Sequence, residues 1–252
     1  MKGARFVSVV LRRADLRTAF PPRFVARLKG RTVARLDRRA KYLLAVLSSG
    51  DTLLMHLGMS GSFRVERAAR TVPHDHVVFH MSSGRSVSFN DPRRFGLMDL
   101  LTPRQLAAHA TLSRLGPEPL SAAFDAAALA RACRGKKTSL KAALLDQRVV
   151  AGLGNIYVVE ALYLARLSPL RRASTIATPS GAPRPAAFRL AAAIKTVLED
   201  AIARTSKPYR QSDRFQVYDR AGERCRTPRC MGSIAQRTQA GRTSYYCPVC
   251  QR

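Results

Sequence analysis

The chain has 252 residues, 46% of them hydrophobic, which suffices for one large or two to three small domains with cores of their own and excludes a disordered protein. Lys and Arg number 44 against 16 Asp and Glu, a formal charge of +28, so the expected partner is a polyanion, with nucleic acid ahead of a membrane surface. No stretch approaches the roughly 18 apolar residues that span a bilayer, and the first residues lack a signal-peptide pattern, so the expectation is a soluble intracellular protein without membrane contact. Arg outnumbers Lys 36 to 8, so part of the excess fits an arginine-biased composition, and each Lys is correspondingly more informative.

The chain opens on MKGARFVSVV, where Phe6, Val7, Val9, Val10 and Leu11 suit a half-buried strand with no lead-in. Further strands are expected in TVARLD, KYLLAVLS, TLLMHLG, SFRVER, HVVFHMS and SVSFND, separated by turn chemistry such as SSGD and SSGR. Their spacing predicts an antiparallel sandwich or barrel-like sheet pair up to about residue 100. RLGPEPL, at 114–120, reads as a linker. From there the apolar period changes, and AAFDAAALARAC, TSLKAALLD, GNIYVVEALYLARL and PAAFRLAAAIKTVLEDAIAR read as helices. Beyond about 206 a third, small module begins, rich in Arg, Gln, Tyr and Cys.

The cysteines carry the strongest signal. Cys225 and Cys230 enclose four residues, Cys247 and Cys250 enclose two, and sixteen separate the pairs, the spacing of a four-thiolate structural zinc site. A disulfide pair is the alternative. Cys133 reads as a small buried hydrophobe. Between the pairs, QAGRTSYYC places Arg242 on a hairpin turn, either solvated or directed at nucleic acid. Gly152 and Gly154 precede Asn155 at a helix start, a geometry that suits a phosphate but also an ordinary turn. NDPRRFG puts Arg93 and Phe95 on a turn after a strand, fit for reading or wedging between bases, or simply a β-turn with a buried Phe. Met59 lies on the Gly-rich turn of HLGMSGSF, where a core methionine is the usual reading. PHDH makes a poor metal site, because side chains two apart on a strand share a face with no third ligand in view, and a phosphate contact suits it better.

Taken in order, RRAKYLL, HLGMSGS, HDHV, NDPRRFG, LGPEPL, LKAALLDQRVVAGLGNIY and GRTSYYCPVCQ resemble the formamidopyrimidine-DNA glycosylase family over essentially the whole chain. The resemblance implies a multidomain α+β fold: a β-sandwich over 1–113, a linker at 114–120, a helix-two-turn-helix domain over 121–206 and a zinc finger over 207–252. It implies a bacterial enzyme, cytoplasmic and nucleoid-associated, monomeric, with one structural Zn2+. Its expected partner is double-stranded DNA containing damaged bases or abasic sites. The implied activity is excision of oxidised purines by base flipping and Schiff-base chemistry, followed by strand nicking.

Residue by residue, the resemblance implies that Lys41 contacts substrate as a proton donor in β-elimination and that Met59, Arg93 and Phe95 fill the gap left by the flipped nucleotide. His74, Arg93 and Lys136 contact DNA, Lys141 and Asn155 clamp phosphates, and Arg242 serves phosphate binding and δ-elimination. Two departures stand out. The family's opening Pro-Glu, its nucleophile and its acid-base group, has no counterpart in MKGARFVSVV, so the sequence as given is expected to grip DNA and be poor at chemistry, with Lys41 as a fallback nucleophile. The loop around SKPYRQSDRFQVYDR, which closes over the extruded base in the family, is expected to be short, which bears on 8-oxoguanine preference. Two other functions remain open at this point: a non-catalytic, zinc-dependent binder of damaged DNA, and an endonuclease VIII-like glycosylase for oxidised pyrimidines.

Overall fold

In the computed structural model, residues 1–68, 70–204, 215–239 and 241–252 are described. They form two compact units, Met1–Ser113 and Arg114–Arg252.

The first unit is an antiparallel sandwich of two four-stranded sheets. One sheet has the order β1-β6-β7-β5, built from Phe6–Leu11, Asp75–Met81, Ser86–Asn90 and Ser62–Glu66. The other has the order β2-β3-β4-β8, from Val33–Arg39, Tyr42–Leu47, Thr52–His56 and Leu97–Leu101. Alternation along each strand sends Phe6, Leu47, Leu53, Phe79, Phe89 and Met98 into one shared core, where Phe6 and Phe79 meet edge to face at 5.4 Å. The opening residues do form a strand, β1, pairing antiparallel with β6. The strand Leu97–Leu101, and the short helices α1 (Phe24–Leu28) and α2 (Pro103–Ala107), were not anticipated. LMDLL lacks turn punctuation before it, and five-residue helices are too short for a period to register. The α2 helix is announced locally all the same, by a capping box in which Thr102 and Gln105 exchange hydrogen bonds around Pro103.

The second unit gathers α3 (Ala126–Cys133), α4 (Leu140–Leu145), α5 (Asn155–Leu164) and α6 (Pro185–Ala203) around Leu129, Leu140, Leu144, Val158, Leu162, Leu190 and Ile194. Asp125 caps α3 by accepting the Ala128 N–H at 2.7 Å, Ser139 caps α4 by accepting that of Ala142 at 3.2 Å, and Pro185 opens α6. Residues 116 and 117 are drawn into this unit: Gly116 N–H donates to Gln147 O and Ala151 N–H to Pro117 O. A Cβ on Gly116 would sit 2.6 Å from the Arg148 carbonyl oxygen. The hairpin β9 (Ala235–Gln239) and β10 (Arg242–Tyr246) stands with the cysteines on a small third cluster of Val159, Tyr163, Val217 and Ile234. The expectation of a shortened loop around 206–220 falls largely on 205–214, outside the described residues. Among the described residues, no helix is long and apolar enough to cross a membrane.

Candidate nucleic-acid interface and metal centre

In the first unit, four of the residues singled out by sequence gather around one buried carboxylate. Asp91 directly follows β7 and has no exposed surface. Its Oδ1 accepts the Ser60 hydroxyl at 2.5 Å and its Oδ2 the Gly96 N–H at 2.7 Å. Its backbone N–H donates to the carbonyl of His74 at 3.0 Å, and its own carbonyl lies 2.9 Å from His76 Nε2. Ser60 in turn accepts the Arg93 N–H at 3.2 Å. Asp91 thereby ties the turn carrying Met59 to the turn carrying Arg93 and Phe95 through its carboxylate, and the turn carrying His74 through its backbone N–H. A carboxylate hidden from water must be hydrogen-bonded in this way, and the bonds fix the loops that supply them.

Gly58 sets how closely two of these turns approach. At φ 67° a Cβ there would lie 2.4 Å from the Phe95 carbonyl carbon. The working side chains stay outward: Met59 is 61% and Phe95 43% exposed, with the Arg93 guanidinium 4.6 Å over the Phe95 ring. An exposed methionine and phenylalanine beside an arginine are not core residues, so the bland readings of Met59 and Phe95 fail. PHDH is not assembled as a metal site: Asp75 is held by Arg64 and Asn90, and His76 by the Asp91 carbonyl, while His74 is exposed at φ 70°.

Lys41 sits exposed in the two-residue turn between β2 and β3, whose flanking partners are Arg39 and Tyr42. The structure adds His56 to this corner. Its ring packs on Tyr42 at 4.9 Å and its Nδ1 accepts the Gly58 N–H at 2.9 Å, which leaves the proton of the neutral ring on Nε2. Burial, then the nearby charges of Lys41 and Arg17, hold its pKa below the usual histidine value. His56 therefore links the Lys41 turn to the Met59 turn as a neutral imidazole.

The second unit brings Lys141, Asn155 and Arg242 together. Lys141 is buried on α4, and its Nζ donates to the carbonyl of Arg242 at 3.1 Å. Burial, with the Arg242 guanidinium adding to it, pulls the Lys141 pKa down to about 8. Asn155 opens α5, and its Nδ2 donates to the carbonyl of Thr243 at 2.9 Å. Arg242, exposed, is the first residue of β10, opposite Gln239. Lys136 stands apart, half-buried on the loop after α3, its charge acting on Asp146.

Behind this corner α5 anchors the cysteine module. Glu160, 6% exposed, accepts the backbone N–H groups of Gln216, Val217 and Tyr218 at 2.8, 2.9 and 2.9 Å. Burial and the neighbouring Cys225 push the Tyr163 phenol up to about 12, so it remains a proton donor at neutral pH. Sequence reading passed over Asp91, His56, Glu160 and Tyr163. For Glu160 a signal existed: a single carboxylate in a helix apolar on every side, NIYVVEALYLA, has to be partnered.

The sulfurs of Cys225, Cys230, Cys247 and Cys250 lie within 4.8 Å of one another, and none forms a disulfide. Cys225 and Cys250 are 3.7 Å apart and Cys230 and Cys247 3.6 Å, near the edge of about 3.8 Å that a tetrahedron with metal–sulfur bonds of about 2.3 Å requires. Backbone N–H groups of Thr227 and Gly232 point at Cys225 and Cys230 at 3.4 and 3.5 Å. Four thiols around one point, with donors aimed at the sulfur, fit a metal ion held by four cysteines.

A sandwich with linked basic turns, a helical unit and a four-cysteine hairpin define a multidomain α+β protein. Profiles of the formamidopyrimidine-DNA glycosylase N-terminal domain and of its helix-two-turn-helix domain match residues 1–98 and 115–212. The formamidopyrimidine-DNA glycosylase of Rhodopseudomonas palustris (strain BisA53) is 56% identical, with 100% of this chain and 94% of the relative covered. That alignment runs over 276 residues against the 252 of this chain, so the relative carries additional residues inside the matched span. The Lactococcus lactis enzyme, non-covalently bound to DNA containing an abasic site, superposes with a TM-score of 0.88 at 29% identity, covering 100% of this chain and 94% of that one. The same enzyme complexed with Fapy-dG DNA gives 0.86 at 29%, covering 99% and 93%. The chain belongs to the formamidopyrimidine-DNA glycosylase family.

Proposed function

We propose that this chain grips double-stranded DNA at a damaged or abasic nucleotide and serves base-excision repair as a DNA glycosylase with AP lyase activity, acting on oxidised purines in the bacterial cytoplasm. The observation that carries the reading is the set of turns bound through Asp91, which holds Met59, Arg93, Phe95 and His74 at one exposed place. Met59 and Phe95 occupy the gap in the stack when a nucleotide leaves it, Arg93 faces the orphaned base, and His74 takes a phosphate. Unstacking costs a few kcal/mol, and such insertions offset it. Lys41 reaches the sugar–phosphate at the lesion, beside neutral His56. Lys141, Asn155 and Arg242 bind phosphates flanking it, and Lys136 adds a further DNA contact.

The four cysteines hold Zn2+. The soft thiolate set selects it, and the ion supplies folding energy that a module this small lacks. With all four positions taken by protein, its chemistry is structural.

Duplexes carrying formamidopyrimidine, 8-oxoguanine, thymine glycol or an abasic site, incubated with the protein, test this reading. Release is expected to be slow, since the sequence as given holds no counterpart of the Pro-Glu pair, and to come from the purine lesions ahead of thymine glycol. Preferential release from thymine glycol would move the chain to the endonuclease VIII branch. Tight binding to the abasic duplex without release from any lesion would make it a binder only.

A further inference from the structure

One edge of the cysteine cluster is covered by two hydroxyls from different elements. Tyr163, on α5 and 7% exposed, places its hydroxyl 2.8 Å from Thr227 Oγ1 and 3.4 Å from Cys225 Sγ. Thr227 Oγ1 lies 3.6 Å from Cys250 Sγ, and the Thr227 N–H donates to Cys225 Sγ at 3.4 Å. The other edge is built differently: Cys230 receives the Gly232 N–H at 3.5 Å, and Gly232 packs so close that a Cβ would stand 2.8 Å from Cys247 Sγ.

Phenylalanine would fill the same volume at position 163 with no polar group to satisfy, so the buried phenol has to be explained by what its hydroxyl bonds. A metal-bound thiolate accepts hydrogen bonds and donates none, and the two hydroxyls are 2.8 Å apart, so in the loaded site one hydroxyl donates to the other and the second donates to sulfur, to Cys225 from Tyr163 or to Cys250 from Thr227. Such bonds draw charge from the thiolates, which disfavours protonation and release of the ligand, and they orient the sulfur lone pairs.

We propose that Tyr163, acting with Thr227, is an outer hydrogen-bonding partner of the metal ligands Cys225 and Cys250 that retains the bound ion and makes α5 part of the metal site. The inference rests on the metal reading given above. Since Asn155 opens the same helix and holds the carbonyl of Thr243, ion retention and the seating of β10 depend on one rigid element.

The test uses the full chain. Elemental analysis of the wild type comes first, and absence of zinc overturns the metal reading and this inference with it. With one zinc per chain, release to a chromophoric chelator is timed for wild type, Tyr163→Phe and Thr227→Val. Loss of an outer partner weakens metal sites roughly 10–100-fold, so Tyr163→Phe is expected to release zinc at least about tenfold faster while retaining its far-ultraviolet spectrum. In cobalt-substituted protein the sulfur-to-metal charge-transfer band is expected to shift in the same variant, which a purely packing role would leave in place. Release at the wild-type rate with an unmoved band overturns the inference and spares the metal reading. Should Tyr163→Phe fail to fold, Thr227→Val, on a half-buried loop residue, decides by the same two readouts.

Discussion

The turns of the sandwich and the hairpin of the cysteine module are both small exposed structures held still for contact, yet they are held by opposite means. Beneath the turns lies a two-sheet core of large apolar side chains, and one buried aspartate, by its carboxylate and its backbone N–H, links three loops to each other. Beneath the hairpin there is almost no core: its cluster consists largely of cysteine and tyrosine, with four cysteines placed so that they could hold a metal ion and side chains lent by α5. A loop on a large core needs a polar pin, whereas a loop on a small core needs an external source of folding energy.

Metal removal breaks the comparison most severely. Structural zinc contributes on the order of 10 kcal/mol in small fingers, so chelation or Cys247→Ser is expected to unfold residues 215–252 while the sandwich keeps its transition, as two-probe thermal melts would register. A single transition affecting both units equally would show that the module does not rely on its metal.

Asp91→Ala probes the other side. It leaves the Ser60 hydroxyl and the Gly96 N–H without their acceptor at a fully buried position, a loss of about 3 kcal/mol by chemical denaturation, together with weaker binding to abasic duplex. An effect below about 1 kcal/mol would mean that core packing alone positions the turns.

A pH dependence is expected from Lys141, on α4 beside the hairpin. A phosphate favours cationic Lys141, whose pKa in the free protein lies at about 8, so binding takes up a proton above that value. Affinity for abasic duplex is expected to be highest below pH 8 and to fall as pH rises through it, and Lys141→Met is expected to flatten this part of the profile. A wild-type profile flat from pH 7 to 9 would remove Lys141 from the phosphate contact.

The smallest stability effect belongs to the exposed side chains. Met59→Ala and Phe95→Ala are expected to change stability by no more than about 0.5 kcal/mol while lowering affinity for lesion duplex by about 1–2 kcal/mol. Equal loss on undamaged duplex would argue against insertion at the lesion.

Most strands and all four long helical stretches were legible, since a period of two or of 3.6 is written in the apolar residues themselves. The cysteine spacing was legible because four ligands must come from two short turns. What eluded sequence reading was the set of polar groups that connect elements: Asp91, His56, Glu160 and Tyr163. Nothing local distinguishes Asp91 from any aspartate before a proline, because its role depends on Ser60 arriving from another turn. Tyr163 reads as one more large residue on a buried helix until its hydroxyl is seen against Cys225 and Thr227.

By itself the sequence determined the order of elements, the division into a β half and a helical half, the basic character and the four metal-ligand candidates, all of which follow from residue type and short-range spacing. Only the tertiary structure decided that Met59 and Phe95 face outward, that one buried aspartate links the exposed turns, and that α5 carries the cysteine module. Those outcomes turn on hydrogen bonds between residues far apart in the chain, such as Asn155 with Thr243 across 88 positions, and at that distance burial and geometry act without leaving a pattern in the sequence.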